Sequence, residues 1–177
     1  NKKDLEFELQ ESEEIDSLTS FLNFSLDIDN TGDKEIFFIN NQNNGYYTYS
    51  SDKFSEINLP EIILPSQCLV FDFNQDDYQD ILIVHKPDSI TNTILLLIND
   101  TRNGFIDNSE IINQHLDESE LVCCNLFDIN GDAKLDLVVQ YIDKQIQLLM
   151  NTENKFRLIN QYAAADSGMV AGFDILN

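Results

Sequence analysis

Asp128-Ile129-Asn130-Gly131-Asp132-Ala133-Lys134-Leu135-Asp136, running straight into Leu137-Val138-Val139, is the stretch that decides how this chain is read. Oxygen-bearing side chains stand at positions 1, 3, 5 and 9 of a nine-residue loop: Asp128, Asn130, Asp132 and Asp136. Lys134 at position 7 can offer only its backbone carbonyl. An oxygen-only donor set of this kind suits a hard cation such as Ca2+. Phe127 before the loop and the β-branched residues after it predict strands on both sides.

The same pattern occurs twice more. Asp72, Asn74, Asp76 and Asp80 occupy the four positions of residues 72–80, with Tyr78 at position 7 and Ile81-Leu82-Ile83-Val84 following. Asp27, Asp29, Thr31 and Glu35 occupy them in residues 27–35, with Asp33 at position 7 and Ile36-Phe37-Phe38-Ile39 following. A fourth apolar approach, Met169–Ile175, reaches Asp174 near the end of the sequence. The leading aspartates Asp27, Asp72, Asp128 and Asp174 are 45, 56 and 46 residues apart. A period near fifty residues signals one supersecondary unit used repeatedly.

EF-hands are excluded. They need a bidentate Glu at position 12 and flanking helices, whereas position 12 here is Phe38, Ile83 or Val139. The plainer alternative is that Asp/Asn-rich loops are ordinary turns. Three loops in register, each between predicted strands, favour the repeated calcium site.

With Phe71-Asp72, Phe127-Asp128 and Gly172-Phe173-Asp174 as lead-ins, these loops resemble the FG-GAP repeat of integrin alpha-type β-propellers and of T-cell immunomodulatory protein-like cell-surface proteins. The resemblance implies an all-β fold: a partial β-propeller of about three four-stranded blades plus the first strand of a fourth. On that reading residues 1–20 are the end of a preceding blade and an acidic connector. Residues 21–65, 66–120 and 121–167 are blades, and residues 168–177 begin another. Gly at position 6 of the family pattern survives only as Gly32, with Asp77 and Ala133 in the other loops. A left-handed backbone there is tolerable for Asp and costly for Ala. Thr31 removes a carboxylate from the first loop, which is therefore expected to bind most weakly.

The 177 residues carry 32 acids against ten basic residues, a net charge of −22. Such a surface repels nucleic acid and anionic membranes. Eleven of the acids lie in the three loops, and seven more fall between Asp4 and Asp16. The longest apolar run, Ile94–Ile98, is too short to span a bilayer.

No residue stands out as a catalyst. His85 and His115 are solitary, and no Gly-x-Ser-x-Gly, His-Glu-x-x-His or phosphate-cradling loop is present. Cys68 and Cys124 each precede a leading aspartate by four residues, and Cys123 adjoins the second; buried free thiols are favoured over a disulfide. Of two sequons, Asn23-Phe24-Ser25 falls on a predicted strand and Asn99-Asp100-Thr101 on a predicted turn, the better acceptor.

The expected function is a non-catalytic, calcium-binding interaction or adhesion-type scaffold. The resemblance implies an extracellular or secretory-lumen setting, including the ectodomain of a membrane protein. A structural accessory subunit of a large membrane or organellar assembly is the alternative, followed by an ancillary propeller of a secreted enzyme. Protein partners are expected. The open faces of an incomplete ring would be covered by more of the same chain or by another subunit.

Overall fold

The computed structural model describes residues 22–39, 45–48, 53–86, 93–101 and 104–163. These form three four-stranded antiparallel sheets, each a meander whose strands neighbour one another in chain order. The first sheet comprises β1 (Leu22–Leu26), β2 (Glu35–Ile39), β3 (Gly45–Thr48) and β4 (Lys53–Glu56). The second comprises β5 (Gln67–Phe71), β6 (Asp80–His85), β7 (Thr93–Asp100) and β8 (Gly104–Asp107). The third comprises β9 (Leu121–Phe127), β10 (Asp136–Tyr141), β11 (Gln145–Thr152) and β12 (Lys155–Ala163). In each sheet a nine-residue loop joins the first strand to the second. Residues 1–20, expected to hold the end of a preceding blade and a connector, and the Met169–Ile175 approach lie outside the described residues.

Continuous apolar runs arise because the middle sheet is covered on both faces. In a strand, successive side chains point to opposite faces. Ile81 and Ile83 of β6, with Leu95 and Leu97 of β7, pack with Leu26, Phe37 and Ile39 of the first sheet. Leu82 and Val84, with Ile94 and Leu96, pack with Leu137, Val139, Tyr141 and Leu149 of the third. Every residue of β6 is therefore buried. The first sheet reads differently: on β2, Ile36 is 44% exposed beside fully buried Phe37.

Aromatic packing seals the first interface. Phe37 stacks between Phe24 and Tyr46, with ring centroids 5.3 Å away on each side, and meets Phe105 of the second sheet edge-on at 6.1 Å. At the second interface Phe73 lies 5.2 Å from Phe156.

One predicted strand is shorter than expected. The stretch Ile106–Ile112 reads as the last strand of the second four-stranded unit, but β8 stops at Asp107 and Glu110–Asn113 forms a short helix, α1. The cause is Asp107, whose Oδ1 accepts the Ser109 N–H at 2.9 Å. This local turn competes with the sheet ladder. The strand edge that β8 leaves bare is completed by side chains. Ser109 Oγ accepts from Leu96 N (3.0 Å), and the Asn113 amide both accepts from Ile94 N (3.2 Å) and donates to Ile94 O (2.9 Å). Ile112 then drops, fully buried, into the core between the second and third sheets.

One side-chain amide ties neighbouring first strands together. The Gln67 amide on β5 donates to the Cys124 carbonyl (2.6 Å) and accepts the Cys124 N–H (2.9 Å) on β9. Cys68, Cys123 and Cys124 are free thiols, and burial pushes the Cys68 thiol up to about 12. It stays protonated at neutral pH and is a poor nucleophile.

Because Phe37 fills the junction of two sheets, Phe37→Ala is expected to cost about 3–5 kcal/mol. Denaturant unfolding measures this; a loss below about 1 kcal/mol would show that the first sheet does not depend on this interface.

Candidate metal centre

The three loops share one backbone conformation. Position 4 is left-handed in each, at Asn30 (φ 55°), Gln75 (59°) and Gly131 (77°). Position 6 is left-handed as well, at Gly32 (91°), Asp77 (70°) and Ala133 (66°). The family resemblance anticipates position 6; position 4 is visible only in the structure.

Position 1 explains the wrap. The Asp27 carboxylate accepts the N–H groups of Thr31 (3.0 Å) and Gly32 (2.8 Å). Asp72 accepts those of Asp76 (3.1 Å) and Asp77 (2.9 Å). Asp128 accepts those of Asp132 (3.1 Å) and Ala133 (2.9 Å), together with that of Gly131 (2.7 Å). The left-handed residues turn these amides inward onto one carboxylate.

Positions 3 and 5 repeat in the same way. Asp29, Asn74 and Asn130 accept the position-5 N–H at 3.3, 3.2 and 2.9 Å. Asp76 and Asp132 accept the N–H of Tyr78 (3.0 Å) and Lys134 (2.9 Å), which is how position 7 enters the loop. The Lys134 N–H holds the Asp132 carboxyl below its ordinary range. Asp33, at position 7 of the first loop, is exposed.

Position 9 is the buried end of each loop. Glu35, Asp80 and Asp136 are almost wholly inaccessible, and each accepts the N–H of position 2: Ile28 at 3.1 Å, Phe73 at 2.8 Å and Ile129 at 2.9 Å. The second oxygens of Asp80 and Asp136 accept the N–H of Asn99 and Asn151, both at 2.8 Å. A carboxylate oxygen has two lone pairs, so these bonds leave acceptor capacity for a cation. Burial raises Asp80 to about 6, against the opposing pull of the Asn99 and Phe73 N–H bonds.

The first loop, ranked last for its Thr31, is where carboxylates are drawn together. Oxygens of Asp27, Asp29 and Glu35 lie within 4.8 Å of one another. In the other two loops position 3 is an Asn, whose amide also donates to the position-5 carboxylate at 2.9 Å. The donor chemistry in all three is oxygen only and fits a hard cation.

Asn99 and Asn151 were not singled out as site residues by the sequence. Besides their backbone bonds, Asn99 Nδ2 donates to Ile28 O and Asn151 Nδ2 to Phe73 O, both at 2.9 Å. The available signal was a second repeat, Leu96-Leu97-Ile98-Asn99 and Leu148-Leu149-Met150-Asn151. This overturns the ranking of the sequons: Asn99 is 3% exposed with its amide engaged, while Asn23 is exposed on β1. His85 is buried and its imidazole pKa is lowered by desolvation.

Residues 27–83 match the FG-GAP-like repeat family. The match starts at the first aspartate of the first loop and ends within β6, taking in two complete loops and the first sheet from β2 onward. The loop at residues 128–136 lies beyond the FG-GAP-like match yet has the same left-handed positions and carboxylate bonds. No curated protein matches the chain.

Two outcomes are expected here. Ala133→Gly removes left-handed strain of about 1–2 kcal/mol and adds about 0.5–1 kcal/mol of chain entropy. A net gain of about 0.5–1 kcal/mol should appear in denaturant unfolding, and a loss would refute the strain argument. In metal-free buffer the Asp80 carboxyl carbon should titrate near 6 by NMR. The folded-state value lies above the ordinary 3.8, so the folded state takes up this proton first. Its contribution to stability then increases as pH falls from above 6 towards 4; a midpoint near 4 would refute the burial effect.

Proposed function

We propose that the three loops bind calcium and that the chain is a section of a β-propeller serving as a non-catalytic protein-interaction scaffold. The observation that carries the reading is the φ pattern that the three loops share, with the same carboxyl or amide oxygen bonding at positions 1, 3 and 9, each loop placed between the first and second strands of a four-stranded sheet. The FG-GAP-like match supports it.

In the second loop the ligands are Asp72, Asn74, Asp76 and Asp80, with the Tyr78 carbonyl. In the third they are Asp128, Asn130, Asp132 and Asp136, with the Lys134 carbonyl. In the first they are Asp27, Asp29, Thr31 and Glu35, with the Asp33 carbonyl. Calcium supplies charge neutralisation to converging carboxylates rather than chemistry. Positions 1, 3 and 5 are already wrapped by backbone amides, so the cation meets a largely pre-formed loop.

The three sheets, packed face to face, are read as consecutive blades, with residues 168–177 opening a fourth. An extracellular or secretory-lumen setting agrees with calcium loading and with the FG-GAP-like repeat. Among the described residues no helix is long and apolar enough to cross a membrane.

Calcium that binds only the folded chain stabilises it by mass action, by about 2.7 kcal/mol at a hundredfold excess over Kd. The melting temperature is therefore expected to fall in chelator and recover with calcium, with the β-sheet circular dichroism unchanged below the transition. Asp128→Ala should abolish the third loop's share of that shift. An identical melting temperature with and without excess calcium would reject the reading.

A further inference from the structure

The three loops are joined by one run of buried and partly buried hydrogen bonds. It begins at Glu35, which accepts the Ile28 N–H, and Ile28 O accepts Asn99 Nδ2. The Asn99 N–H continues to Asp80 Oδ1, and Asp80 Oδ2 accepts the Phe73 N–H. Phe73 O accepts Asn151 Nδ2, the Asn151 N–H reaches Asp136 Oδ1, and Asp136 Oδ2 accepts the Ile129 N–H. Each buried Asn thus holds its own loop's position-9 carboxylate by its backbone and the preceding loop's position-2 peptide by its side chain.

The burial gives this run its leverage. Asn99 is 3% exposed and Asn151 1%, and Asp80 and Asp136 are fully buried. Breaking any link strands a buried donor or acceptor. Asn151 keeps its orientation although its Oδ1 has no partner among the described residues, so the bond from Nδ2 to Phe73 O sets the side chain. The exposed bond from Gln75 Nε2 to Ala133 O, at 3.2 Å, spans the same two loops in water.

We infer that Asn99 and Asn151 are positioning residues that couple the three loops, so that ordering one loop tightens the loop before it. Fixing a position-9 carboxylate fixes the Asn bound to it, which fixes the preceding position-2 peptide and the carboxylate that this peptide serves. A second loop then orders at lower entropic cost, which is positive cooperativity without a change of fold. The link itself rests on the hydrogen bonds alone; its use by cations rests on the calcium reading above.

Amide hydrogen exchange in chelator tests the link without a cation. In Asn151→Ala the Asp76 and Asp77 amides, which do not touch Asn151, are expected to exchange about tenfold faster, while β2 amides keep wild-type protection. Unchanged exchange at the second loop, or a uniform rise over all three sheets, would overturn the inference. Arg157→Ala, an exposed third-sheet control outside every loop, should leave the second loop unchanged; a rise there equal to that of Asn151→Ala would overturn the role of Asn151. If Asn151→Ala does not fold, Asp132→Ala alters only an exposed carboxylate and loosens the third loop from within. Second-loop exchange should rise with it, and no rise counts against the coupling. In calcium, the wild-type second and third loops should titrate with a Hill coefficient above one that falls to one in Asn151→Ala; independent titration in the wild type counts against the coupling. If calcium does not bind at all, the proposed function fails while the chelator measurement still decides the link.

Discussion

A buried carboxylate is the constraint on which the rest of this structure depends. Glu35, Asp80 and Asp136 each begin the second strand of a sheet and lie out of reach of water. Burying an acid without partners is strongly unfavourable. Each is therefore met by the N–H of position 2, seven residues earlier, which closes the loop on itself. In the second and third sheets it is met also by the N–H of a third-strand Asn. The loop, the strand pairing around it and the position of the Asn are three solutions to one desolvation problem.

That requirement also organises the packing between sheets. The Asn that serves one carboxylate turns its side chain to the neighbouring sheet's loop, so polar satisfaction crosses the same interface that buries Leu82, Val84 and Leu137. Apolar contact alone does not fix register between stacked sheets, because it is non-directional. Directional bonds at the loop end, together with the Gln67–Cys124 amide pair between β5 and β9, set how one sheet sits on the next.

Much of this was legible in the sequence. The repeat of oxygen-bearing positions located all three loops, and the β-branched residues after each predicted the strands that follow them. The strand β6 begins at Asp80 and ends at His85, as its run of apolar residues between polar flanks implies. What was not legible rests on local competition and long-range partners. Ile111 and Ile112 look like strand residues, but the turn at Asp107 decides otherwise. Asn99 looks like a turn residue because Asn-Asp-Thr is polar; its burial follows from the Ile28 carbonyl 71 positions away, which no local window contains. The left-handed Gln75 is equally hidden, since nothing in its side chain favours that conformation.

The glycine at different positions in different loops shows what the motif demands. The first loop places Gly at position 6 and Asn at position 4, whereas the third places Gly at position 4 and Ala at position 6. The second has no glycine at either position and takes the strain on Gln75 and Asp77. A Cβ on Gly32 or Gly131 would meet nothing within 4 Å, so these positions constrain dihedral angles rather than space. What stays constant is the position-1 aspartate collecting the amides of positions 5 and 6. That carboxylate does the same work in all three loops whichever residue bears the left-handed strain. The wrapped shape thus follows from hydrogen bonds that the chain makes by itself, and a cation would act on a loop whose geometry the peptide has already chosen. It follows that losing a cation should loosen the loops while leaving the sheets paired, because the bonds that define the fold are not those that the cation would contribute.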